Sequence, residues 1–197
     1  MKTLSFYVSL SSMTMTLRYA GVLLALLISC KIDREKTIDR SRFSFKITAD
    51  SHLFFKNVRQ VYYDFTDLQE AGWHAYRLSN RYQSNNYPVI NTTIVIDWRK
   101  DEAYLLVEGN SFLDELPELV IQEKNPVTGI TYSYQLTERG KENMLEFATK
   151  IYEGIMAENE FAILIKGDLI PFFQEDSDRE NFRIVMADYY RLTRIIR

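Results

Sequence analysis

The chain has 197 residues, 46% of them hydrophobic, with 13 Tyr and 12 Phe. That is enough apolar material for one ordinary domain with a packed core, and too much for a wholly disordered chain. The formal net charge of -3 leaves no basic footprint for nucleic acid. One Cys and two His exclude an intramolecular disulfide and a His-rich metal site.

The N-terminal segment comes first. Met1 to Arg18 holds no Asp or Glu, and Met1, Met13 and Met15 are all open as the start. Tyr19 to Ser29 is uncharged and mostly apolar, and charges resume at Lys31. A spanning helix needs roughly 20 apolar residues. This run is too short for that, and has the size of a signal-peptide core. It ends Leu27-Ile28-Ser29-Cys30.

Those four residues resemble the lipobox of bacterial lipoproteins: an aliphatic residue, a permissive one, a small one, then the invariant Cys. The resemblance covers the signal alone. It implies that residues 1–29 are a type II signal peptide and that the Cys30 thiol receives a diacylglyceryl group. Cleavage before Cys30 and acylation of the new amine complete the pattern. The expected partner is then a membrane, reached through acyl chains at about 0.8 kcal/mol per buried CH₂, with two or more chains needed for stable anchoring. The expected location is the bacterial envelope, outer membrane or cell surface favoured. Residues 30–42 read as the lipidated Cys and a charged tether. Residues 43–197 read as a single soluble α+β domain.

Within that domain, Phe43 to Thr48 alternates apolar and polar and predicts a strand. Leu53, Phe54, Val58, Val61, Phe65 and Leu68 fit a helical stripe, yet residues 58–66 are also rich in β-branched and aromatic types. The reading leans to strand there, paired with Trp73 to Leu78 across a turn at 67–72. Two hairpins follow: 90–98 with 103–108 around the charged turn 99–102, and 119–123 with 130–136 around Asn125 to Gly129. Met144, Phe147, Ala148, Ile151, Tyr152 and Ile155 recur at helical spacing, with Thr137 as the expected cap. Phe161 to Ile165 reads as a short buried strand. Ser177 to Glu180 has a capping-box pattern before a last helix with Phe182, Val185, Met186, Tyr189, Leu192 and Ile196 on one stripe. The expected fold is an antiparallel sheet of hairpins followed by two amphipathic helices packed on one face.

No nucleophile elbow and no glycine-rich phosphate loop is present. His74 and His52 read as structural or surface residues. The carboxylates at 114, 115 and 118 flank Pro117, and those at 175, 176, 178 and 180 suit a helix N-terminus. No cofactor and no metal site is expected. The aromatic residues Trp73, Tyr87 and Trp98, near the amide-rich loop Gln83 to Asn86, are the candidate ligand-binding residues, since aromatic faces beside amides suit glycans and peptides. Two function classes remain: an envelope binding or structural module facing a glycan, peptide or protein, and an envelope hydrolase using carboxylates with His74.

Overall fold

A computed structural model describes residues 38–84 and 86–196. Cys30, the apolar run and most of the tether lie outside them. The described residues build an α+β fold with two antiparallel sheets of four strands.

The first sheet is a meander of β1 (Tyr63–Leu68), β2 (Trp73–Leu78), β3 (Ile90–Asp97) and β4 (Glu102–Gly109), in that order. The second runs β6 (Thr131–Leu136), β5 (Leu119–Lys124), β7 (Glu160–Ile165), β8 (Asp168–Phe172). The helices are α1 (Ala49–Phe54), α2 (Lys141–Met156) and α3 (Asp176–Leu192). A single core cluster draws residues from both sheets and from α2 and α3. At its centre β3 contributes Ile94 and Ile96, both fully buried, as a β-branched run flanked by strands on both sides should.

The structure departs from the sequence reading in its elements at five places and in its helix caps at two. There are two sheets, not one. Residues 43–48 form only an isolated bridge, Lys46 to Glu102, with one backbone bond to the β3–β4 turn and one to Ala103 of β4. Residues 55–62 are helical, continuing α1 as a π-turn (Phe55–Arg59) and a 3₁₀ turn (Gln60–Tyr62), and the strand starts only at Tyr63. The cause is local and tertiary together. Thr48 and Ser51 form a capping box that starts the helix, and Arg59 is fixed to Asp188 of α3 at 2.9 Å. The fourth difference is β8, joined to β7 by a tight turn with Lys166 and Gly167 both at positive φ. Pro171 sits inside it, permitted because β8 is an edge strand. The fifth is the tether: Ile38 is already buried, and its N–H donates to Glu153 of α2 at 2.7 Å.

The caps of the two long helices also differ. Gly140, not Thr137, precedes α2, and Glu175 precedes α3, leaving Ser177 inside the first turn.

Candidate functional site

The strand register sorts the first sheet into two faces. Tyr76, Ile94 and Leu105 point into the core, while Thr66, Ala75, Val95 and Tyr104 form one row of the opposite face. The next row is Asp64, Arg77, Thr93 and Leu106. On that face Arg77 makes a two-pronged pair with Glu108, at 2.9 and 2.7 Å, and Thr93 donates to the same carboxylate at 2.8 Å. Burial pushes the Glu108 carboxyl up, but Arg77 and Thr93 hold it below the usual range.

This pair forms one wall of a cavity of about 300 Å³ whose rim is the β2–β3 connection, with Tyr82, Gln83, Ser84, Asn91 and Asn110 on its lining. The described residues of the connection are tied to the sheet by side-chain amides. The Asn110 amide donates to the carbonyls of Ser84 and Tyr87 at 2.8 and 2.9 Å, and its oxygen accepts from the Val89 N–H. The Asn91 amide holds the Tyr82 carbonyl at 3.0 Å. Tyr82 and Tyr87 stack, ring centres 5.7 Å apart and 24° from parallel, and the Tyr87 hydroxyl donates to that of Tyr82. Burial, then this contact, raises the Tyr87 hydroxyl above its ordinary value.

Among the candidates named from sequence, Tyr87 therefore lies beside the cavity. Trp73 and Trp98 lie at the other end of the sheet. The β2 strand separates them from the loop by its full length, roughly 16 to 20 Å for six residues at about 3.3 Å each. Those two tryptophans do share a neighbourhood: the Trp98 N–H bonds the Gly72 carbonyl, at the turn entering β2. Trp98 sits just past β3, 48% exposed, with the Arg99 guanidinium 5.2 Å from its ring. Trp73 is less open, on the same outer face as Arg77. So the aromatic candidates form two groups.

His74 stands on the inner face, its Nε2 3.6 Å from Asp67 and its ring edge-on to Phe65. His52 lies near enough to feel it; burial first, then Lys56 and His74, lowers its pKa. Among the described residues no group of three or more His, Cys, Asp or Glu is placed to hold a metal ion. Cys30 lies outside the described residues.

The lining residues Arg77, Asn91, Glu108 and Asn110 were missed in the sequence. Their signal was faint: Arg77 and Glu108 sit in apolar strands on the face opposite the core, and Asn110 follows a strand-ending glycine. No protein-family model, no curated protein and no solved structure matches the chain.

Proposed function

We propose that the chain is an exported lipoprotein, held on a bacterial membrane through acyl chains on Cys30, whose folded part binds a glycan or peptide of the envelope at the β2–β3 cavity. The observation that carries the binding half is the fastening of that connection by Asn91 and Asn110 around the cavity wall of Arg77 and Glu108. Side chains whose backbone is already tied down, as at Tyr82 and Ser84, lose little conformational freedom on binding. A side-by-side guanidinium and carboxylate offers donors and acceptors to paired hydroxyls, and Tyr82 offers a hydroxyl and a ring edge to a sugar or side chain. The anchoring half is supported by Leu27-Ile28-Ser29-Cys30 after the short apolar run. Among the described residues no helix is long and apolar enough to cross a membrane.

Two measurements test this reading. Labelled fatty acid should enter the wild-type protein and not the Cys30→Ser variant, which should accumulate uncleaved. Binding to purified cell-wall glycan and peptide should fall about tenfold or more in Tyr82→Ala and Gln83→Ala, a loss of roughly 1.4 kcal/mol, with unfolding midpoints unchanged. Labelling that persists in Cys30→Ser overturns the anchor. Binding that survives both loop substitutions moves the site elsewhere.

A further inference from the structure

From Leu53 to Tyr62 the exposed residues are Leu53, Phe54, Lys56, Asn57, Val58, Val61 and Tyr62. Five of these seven are large and apolar, none is acidic, and Val61 is 78% exposed. A helix on the surface of a globular protein turns its apolar stripe inward and a charged face outward. Here Phe55 and Tyr63 do point inward, yet the outward side is apolar as well. Phe65, 48% exposed, extends the patch onto edge strand β1. The stretch is not loosely attached: Arg59 reaches the buried Asp188 at 2.9 Å, Phe55 packs edge-on to Tyr76, and Ser51 donates to the Leu192 carbonyl at 2.7 Å. Its apolar face is held rigidly toward the outside.

We infer that this face rests on the lipid surface to which Cys30 is attached; the inference builds on the lipoprotein reading above. The length of the intervening chain singles out the occupant. Only residues 31–37 separate Cys30 from Ile38, eight steps that span at most about 28 Å at roughly 3.5 Å per residue. The chain enters the fold against α2, where Ile38 and Arg40 bond Glu153, and four residues on it is linked toward the start of α1 through Arg194. The Arg194 carbonyl accepts from Arg42 at 3.0 Å, and the Arg194 guanidinium meets Asp50 in the first turn of α1. An acylated Cys30 therefore holds the patch within reach of the bilayer. Attachment makes the second contact intramolecular, so that even a weak apolar face is driven onto lipid by effective concentration. The single charge on the face, Lys56, and the rim aromatic Tyr62 suit an anionic headgroup layer.

The test uses the acylated protein in phosphatidylglycerol–phosphatidylethanolamine vesicles. Cys30 is the only native cysteine and its sulfur is blocked by the diacylglyceryl group, so Val61→Cys supplies one free thiol. Val127→Cys, 91% exposed on the β5–β6 turn, is the reference. A membrane-impermeant maleimide should modify Val61→Cys at least about tenfold more slowly than Val127→Cys. Adding Phe54→Glu and Val58→Glu should abolish the difference while the protein still floats with the vesicles. Equal rates at the two thiols overturn the inference. Protection accompanied by Val61→Cys dimer cross-linking overturns it in favour of a second copy of this chain. The mass of the purified protein reports acylation separately: without the acyl mass the anchor reading falls and this inference with it, whereas acylated protein with equal rates loses the inference alone.

Discussion

Asp178 is the residue least reconciled with its surroundings. It lies in the first turn of α3, 1% exposed, with the Phe173 backbone N–H the one hydrogen-bonding group near enough to favour its charged form. Burial pushes its carboxyl up to about 7 against the pull of Arg179, from an ordinary 3.8. A helix N-terminus favours negative charge, but that benefit does not offset the loss of water here. The folded form thus holds a proton that the unfolded chain releases. Stability from the neutral carboxyl is complete below about pH 4 and is lost as pH rises toward 7. The shift corresponds to about 4 kcal/mol, part of which an unsatisfied amide would retain as a penalty. Asp178→Asn should therefore be more stable than wild type by about 2 kcal/mol at pH 8 and gain nothing at pH 4. Denaturant midpoints across that range check it; an equal change at both ends would place the carboxyl's environment wrongly.

The clearest element is the helical stretch 49–62, and its attachment to α3 is concentrated in few contacts. Asp188 is 2% exposed. It accepts both Arg59 Nε bonds at 2.9 Å and the Tyr63 hydroxyl at 2.7 Å. Burial, with Asp188 adding to it, raises the Tyr63 hydroxyl well above its ordinary value. Removing one partner of a buried ion pair typically costs about 3 kcal/mol or more, although here the Tyr63 hydroxyl and the Arg191 guanidinium, 3.6 Å away, stay with Asp188. Arg59→Ala should lower stability by that order, with hydrogen exchange at residues 49–62 speeding up more than in β3. A loss under about 1 kcal/mol would mean that Asp188 is satisfied without it. The same stretch shows where sequence patterning stops. Its apolar residues carried the right helical spacing. Periodicity, however, reports only that a stripe exists, not which way it faces, and the β-branched Val58 and Val61 pulled the reading toward strand. The hairpins β3–β4 and β5–β6 were legible because charged or Asn-Pro-rich turns interrupt alternating runs. The β8 strand was not: Pro171 argues against a strand unless its edge position is known, and the Lys166-Gly167 turn has little flanking pattern. The cavity was legible only through Tyr87 and the amide loop, because Arg77 and Glu108 meet through strand register, which no local pattern encodes.

At the scale of the whole molecule, the question is whether two sheets mean two folding units. The α+β class was readable from the change of period after residue 136, but the sheet count was not, since hairpins carry no label for the sheet they join. The packing argues for one unit. Ile121 and Ile163 of the second sheet and Ile94 and Leu105 of the first are all fully buried in one cluster. The two long helices join the halves through their own contacts: the Tyr189 hydroxyl of α3 bonds the Ala103 carbonyl of β4, and Tyr190 bonds Thr149 of α2. A domain with a continuous core unfolds in a single transition. The two tryptophans, Trp73 and Trp98, both belong to the first sheet and its turns, so fluorescence excited selectively at tryptophan reports that half alone. Ile163→Ala removes a fully buried side chain from β7 in the other half and should cost about 2–5 kcal/mol. If the halves share one core, the tryptophan signal and the far-ultraviolet signal of Ile163→Ala must shift to lower denaturant together and by the same amount. A tryptophan midpoint that stays at the wild-type value while the far-ultraviolet curve splits would show instead that the first sheet stands without the second.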